Sequence, residues 1–156
     1  GDGRTFEDPD ALNALLGGIR AELGQDGPPM VVKISPDLSR EQLEQVVTIS
    51  RTYDVAGFTA TNTTIDRSGL KTAEDELHQI GAGGLSGAPL HTRALESVKH
   101  LRSLTPLPII AVGGIMGGRE AQSFIQAGAN LVQVYSGFIY EGPGIISDIS
   151  DSIREV

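Results

Sequence analysis

The sequence contains no cysteine. The chain therefore forms no disulfide, has no thiolate nucleophile and builds no cysteine-ligated zinc site. Basic residues are also short. Twelve Lys and Arg face 20 Asp and Glu, a formal net charge of -8. That balance argues against nucleic acid or an anionic membrane surface as a partner. No apolar run approaches the roughly 20 residues of a membrane span. The opening Gly1-Asp-Gly-Arg4 does not read as a signal peptide and lacks an initiator methionine, so the chain is expected to begin inside a longer protein. Aromatic residues make up only 4% against 20 glycines, which suits a loop-rich α/β protein.

What is present alternates between helix and strand. At 156 residues the chain is one domain by length, without a linker, low-complexity tract or second domain. Asp8 can N-cap a helix with Pro9 at its first position, running to about Leu23 and weakened by Gly17-Gly18. Met30 to Ile34 is a short apolar run of the kind a buried parallel strand shows. Ser39 and Gln42 fit a capping box, and Leu43, Val46 and Val47 form one face of the helix it opens. A second strand covers Gly57 to Thr61. The segment from Ile65 to Pro89 has little periodicity and reads as a long loop. A helix from about Leu90 to Ser103 turns Ala94, Leu95, Val98 and Leu101 inward. Ile109 to Val112 is the third strand, Ala121, Phe124 and Ile125 mark the next helix, and Leu131 to Tyr135 is the fourth strand. Pro143 opens a last helix with Ile146, Ile149 and Ile153 inward.

This pattern predicts four parallel strands near 30–35, 56–61, 108–112 and 130–135, in that spatial order. It reads as the four C-terminal βα units of a (β/α)8 TIM barrel. A complete barrel needs about 250 residues, so the expectation is a half-barrel fragment. Two strand edges, near 30–35 and 130–135, would lack partners, and such edges favour pairing with another chain. Self-association is the expected consequence.

In this architecture the active site lies at the C-terminal ends of the strands, and the loops after the last two commonly bind phosphate. Lys33 interrupts an apolar strand. It reads either as an edge lysine or as a fixed positive charge beside an anionic ligand. Asn62 and Thr63 both donate and accept hydrogen bonds, which suits a small polar ring or a carboxylate, or simply a turn. Gly113-Gly114 lets the backbone approach a phosphate, and the glycine-rich Gly83-Gly-Leu-Ser-Gly87 can do the same before the following helix. Each pair alone also fits a tight turn. Tyr135-Ser136 adds hydroxyls to the same anion site. His78, His91 and His100 show no ligand spacing and read as surface residues, and no metal site is expected. Glu74, Asp75 and Glu76 read as a solvated loop face.

Taken together, Val32-Lys-Ile-Ser-Pro-Asp-Leu38, Thr61-Asn-Thr-Thr64, Gly83-Gly-Leu-Ser-Gly-Ala-Pro-Leu90, Val112-Gly-Gly114 and Leu131-Val-Gln-Val-Tyr-Ser136, followed by Tyr140-Glu-Gly-Pro143, resemble the class 2 dihydroorotate dehydrogenases, the membrane-associated, quinone-linked type. The match runs from about Met30 to the C-terminus. The resemblance implies an FMN-binding barrel that oxidises dihydroorotate to orotate in pyrimidine biosynthesis and passes electrons to quinone. It implies Lys33 by the flavin pyrimidine edge and Thr61 by the isoalloxazine. Gly87, Gly114, Tyr135 and Ser136 would hold the FMN phosphate, with Ser86 and Gly113 beside them. Asn62 and Thr63 would contact dihydroorotate or orotate. The family's catalytic serine lies upstream of this chain, as do its membrane-binding helices. The chain is thus expected to carry the cofactor half of the site without a catalytic base, and to lack turnover alone. The parent would be a peripheral protein of the inner membrane. Another phosphate-binding barrel enzyme and a non-catalytic half-barrel remain as alternatives.

Overall fold

Residues 8–24 and 26–154 are described by the computed structural model, so the reading of residues 1–4 lies outside them. Helix α1 (Pro9–Leu23) starts where Asp8 accepts hydrogen bonds from the Asp10 and Ala11 amides. Strand β1 (Val31–Ile34) follows, then α2 (Arg40–Thr52) with the Ser39/Gln42 capping box in place. Next come β2 (Gly57–Ala60), α3 (Glu74–Ile80), a 3-10 turn at Ala88–Leu90 and α4 (His91–Leu104). The chain continues through β3 (Ile109–Ala111), α5 (Gly118–Gln126), β4 (Leu131–Val132), α6 (Ser136–Glu141) and α7 (Gly144–Arg154). Among the described residues no helix is long and apolar enough to cross a membrane.

The four strands form one sheet in the order β1-β2-β3-β4, all parallel, as the periodicity predicts. Register places Lys33 opposite Thr59, Thr59 opposite Ile110 and Ile110 opposite Leu131. Paired positions in a sheet share a face, so these residues line one side. The other side carries Ile34, Phe58, Ala60, Ile109 and Ala111, all buried. Against it pack Val46 and Val47 of α2, Ala94, Val98 and Leu101 of α4, and Ala121 and Phe124 of α5, in one continuous core.

The first side is not covered among the described residues. Val31 is 47% exposed and Leu131 61%. β1 is therefore not the doubly buried strand its apolar run suggests. Lys33 is exposed because it alternates onto the open side, so it interrupts no core.

Other expectations are corrected. The segment from Ile65 to Pro89 is no structureless loop. Thr64 and Leu85 pair backbone to backbone and pinch its base, and α3 lies between them. Glu74, Asp75 and Glu76 occupy the first turn of α3, where acidic side chains oppose the positive end of the helix dipole. β4 stops at Val132, although the Gln133 amide still reaches the Ala111 carbonyl at 2.8 Å, and the chain then turns into α6. In α7 Ile149 is buried and Ile153 packs on the core as expected, but Ile146 is 53% exposed and Ile145 takes the inward place, because the buried face follows the i, i+4, i+8 spacing of residues 145, 149 and 153. His78 is exposed as expected. His91 and His100 are not surface residues: His91 sits edge-on to Phe124 at 5.2 Å, and the His100 side chain is 17% exposed against α2.

Candidate functional site

At the C-terminal ends of the strands a cavity of about 240 Å³ opens. Lys33 reaches it from β1. Thr61, Asn62 and Thr63 reach it from the exit of β2, Gly113 and Gly114 from the exit of β3, and Tyr135 and Ser136 from the exit of β4. Ser86 and Gly87 complete the ring from the turn before α4. Every residue that the sequence singles out for cofactor or substrate thus lines one space. Residues 61–63 and 135–136 are far apart in sequence. Parallel strands bring them together because each crossover returns the chain to the same end of the sheet.

Four further residues line the cavity without having been expected: Leu90, Val112, Ile115 and Gln133. The first three supply apolar wall. Gln133 brings an amide that can donate and accept. It lies two residues beyond Leu131, on the same side as Lys33, and its polarity within the run from Leu131 to Val134 was the available signal.

The β2 exit is held tightly at its start. The Thr61 amide donates to the Val112 carbonyl at 2.6 Å, and the Asn62 amide donates to the Ile34 carbonyl at 2.7 Å. Thr61 is 2% exposed, and its hydroxyl donates to the Asn62 carbonyl. The peptide between Ala60 and Thr61 is cis. Asn62 and Thr63 then stand exposed. Behind Thr63 runs Gly84, where a Cβ would fall 1.9 Å from the Thr63 hydroxyl oxygen. Only glycine lets that segment cross there.

The Ser86 and Ser136 hydroxyls are 3.0 Å apart. Gly87, at φ +80°, turns the chain beside them, and a Cβ on it would meet nothing closer than Ser136 at 3.8 Å. Gly113 and Gly114 have a different neighbour. A Cβ on Gly113 would stand 2.7 Å from the Ala94 Cβ, and one on Gly114 would stand 2.6 Å from the His91 nitrogen. Their missing side chains let the β3 exit lie on the first turn of α4.

A larger cleft of about 500 Å³ lies outside, between α2 and α4. It is lined by Arg93, Glu96 and His100 among others and contains none of the residues named for cofactor or substrate. The Asp66 carboxyl at its edge is held below its ordinary pKa by hydrogen bonds from Ser68, with Arg93 adding a smaller effect.

The chain matches the family described as Dihydroorotate dehydrogenase over residues 2–156. The Dihydroorotate dehydrogenase (quinone) of Chloroflexus aurantiacus is 48% identical over 149 residues, covering 90% of this chain and 41% of the relative. That of Christiangramia forsetii is 43% identical over 156 residues, covering 97% of this chain and 45% of the relative. Among solved structures, DHODH from Eimeria tenella in complex with ferulenol superposes with a TM-score of 0.86 at 31% identity, over 99% of this chain and 46% of that one. The chain therefore spans less than half the length of these relatives. With a family match across nearly all of its residues and this fold, the chain belongs to the dihydroorotate dehydrogenase family.

Proposed function

We propose that this chain is the cofactor-binding half of an FMN-dependent enzyme that oxidises dihydroorotate to orotate and delivers the electrons to a quinone. One observation carries the reading. Hydroxyls, an amide pair, a lysine and positive-φ glycines from four strand ends and the turn before α4 converge on a single cavity.

The residues present fit the group. A flavin mononucleotide needs anion donors at one end and polar contacts with a compensating cation at the ring end. Ser86 and Ser136, adjacent in space, with the Gly87 and Gly114 turns and Tyr135, form a donor-rich corner suited to the phosphate. Lys33 is supplied from β1 at the other end of the sheet order. The cavity volume of about 240 Å³ is below the roughly 300–1,000 Å³ of a complete ligand pocket, in keeping with one wall being supplied from elsewhere.

When bound, FMN would supply the redox chemistry that couples dihydroorotate oxidation to a quinone. The chain's own residues bind and orient. The Lys33 side chain, on the cavity wall, would hold a positive charge ready for the negative charge of a reduced flavin. Thr61, on the cavity wall, would lie beside the ring. Asn62 and Thr63 present an amide and a hydroxyl to the carboxylate and ring of the substrate. The proton acceptor is assigned to a segment upstream of this chain, as is attachment to the inner membrane.

The open side of the sheet, with Val31 and Leu131 exposed, and the one-sided pairing of β1 and β4 support a second part of the proposal. Alone, the chain pairs with a second copy of itself through this face and has no dihydroorotate turnover. Sedimentation velocity tests the pairing, and a monodisperse monomer would contradict it. Dye-linked dihydroorotate oxidation on the isolated chain tests the activity, with no turnover expected.

A further inference from the structure

We infer that Asp37 is a positioning residue for substrate: its carboxylate, held in place by Arg93, fixes the far end of the loop that presents Asn62 and Thr63. The binding role of that loop rests on the proposed function. The anchoring rests on the contacts alone.

The loop is suspended between two buried threonines. Thr61 is 2% exposed and Thr64 3%, while the two residues between them are exposed. The near end is held by backbone hydrogen bonds to β1 and to the β3 exit, as described above. At the far end the Thr64 backbone pairs with Leu85, its amide reaching the Leu85 carbonyl at 3.1 Å and its carbonyl accepting from the Leu85 amide at 2.7 Å, while the Thr64 hydroxyl and the next amide are held by one carboxylate. Asp37 Oδ1 accepts from the Thr64 hydroxyl, and Oδ2 accepts from the Ile65 amide at 2.9 Å. The same Thr64 oxygen accepts from the Asp66 amide at 3.0 Å. The Thr64 hydroxyl is thus engaged as donor and acceptor, and its direction is set by the partner it donates to.

Asp37 is itself oriented. Its amide donates to Ser35 Oγ at 3.1 Å, which ties it to the end of β1. Arg93, two residues into α4, donates to Asp37 Oδ1 at 3.1 Å and also pairs with Asp66. One guanidinium thereby serves two carboxylates on either side of Thr64. Charge-assisted hydrogen bonds of this kind are shorter and more directional than neutral ones. The Asp37 side chain is 23% exposed and outside the apolar core, so its removal leaves the core intact. What its removal frees is the Thr64 hydroxyl and the Ile65 amide, with the Leu85 pair still holding the Thr64 backbone, at the end of a loop whose two central side chains face the cavity. Misplacing such groups by about 1 Å can cost around 100-fold in rate.

The test uses Asp37→Ala, Asp37→Asn and Thr64→Val in the chain and in the flavin-loaded enzyme that contains it. In the chain, hydrogen exchange by NMR should show the Ile65 amide losing at least 10-fold protection in Asp37→Ala, with the Phe58 and Val112 amides unchanged. In the enzyme, KM for dihydroorotate should rise roughly 10-fold or more in Asp37→Ala and in Thr64→Val, while flavin content and the quinone KM stay at wild-type values. Asp37→Asn keeps one acceptor and should fall between. The double variant should be no worse than either single one, as expected of two residues acting through one contact. Unchanged Ile65 protection, or flavin loss with an unchanged dihydroorotate KM, would overturn the role. Wild-type enzyme that takes up no flavin would instead overturn the proposed function, and the exchange measurement would still decide the anchoring.

Discussion

The hydroxyl oxygens of Ser86 and Ser136 lie 3.0 Å apart, although the residues are 50 positions apart in sequence. Ser86 precedes the turn into α4, and Ser136 is the first residue of α6. Two hydroxyls at this distance form a ready pair of donors for one anionic oxygen or for two neighbouring ones. Replacing both with alanine should weaken FMN binding by about 100-fold or more, since each hydrogen bond to a charged group is typically worth about 1.5–3 kcal/mol. Flavin absorbance per chain in the purified enzyme reads this directly. Full flavin occupancy at limiting FMN in the double variant would remove the phosphate corner from the account.

Lys33→Ala should leave stability within about 0.5 kcal/mol, because the side chain is exposed and outside the core. Flavin reduction by dihydroorotate should slow by roughly 100-fold or more, the usual cost of removing a preorganised charge or donor at a site of developing charge. Stopped-flow bleaching of the flavin separates this from substrate binding. A wild-type rate constant at saturating dihydroorotate would show that the charge has no such role.

Two glycine substitutions should move stability in opposite directions. Gly114 has φ +66°, and a Cβ there would fall 2.6 Å from the His91 backbone nitrogen. Gly114→Ala should therefore cost about 2–4 kcal/mol through overpacking and backbone strain. Gly18 lies exposed inside α1 with nothing within 4 Å of its would-be Cβ. Gly18→Ala should add about 0.5–1 kcal/mol, from the entropy that glycine loses on entering a helix. Urea unfolding checks both. A tolerated Gly114→Ala would mean that the β3 exit has freedom to move off α4.

Arg102 joins the lower ends of two strands. It donates to the carbonyls of Gly128 at 2.9 Å, Thr105 at 3.0 Å and Leu107 at 3.0 Å, and to Asn130 Oδ1 at 2.9 Å. Asn130 Oδ1 in turn accepts from the Ile109 amide at 3.0 Å, at the start of β3. Arg102→Met keeps the stem but strands these acceptors. A loss of about 2 kcal/mol is expected, since several of them are half-buried and recover water only in part. Thermal unfolding measures it, and an unchanged midpoint would assign the clamp no weight.

The parallel sheet and the ring of residues around the cavity were legible because both follow from short-range pattern. Apolar β-branched runs end in glycine or hydroxyl residues, and in a parallel sheet all such ends fall on one side. The misses have a common cause in tertiary packing. Lys33 looked out of place in an apolar strand only because the open side of the sheet is invisible in sequence. His91 and His100 carry no sequence sign that α5 and α2 pack over them. Helices α3 and α6 are short, and α3 buries none of its residues, so neither leaves a clear apolar period. Gly113 and Gly114 line the cavity, and the close packing on α4 that also excludes a side chain there leaves no mark in the sequence. Gln133 sits inside an apolar run, which masks its place on the cavity wall.

The central claim is that this chain holds FMN and presents dihydroorotate to it once the other half of a barrel is supplied. The most direct measurement uses a chimera in which this chain replaces the matched 149-residue segment of the Chloroflexus aurantiacus relative. The expected result is one FMN per chain, with the flavin bleached by dihydroorotate and reoxidised by a quinone. A folded, monodisperse chimera that carries no flavin, or whose flavin dihydroorotate does not bleach, would contradict the claim.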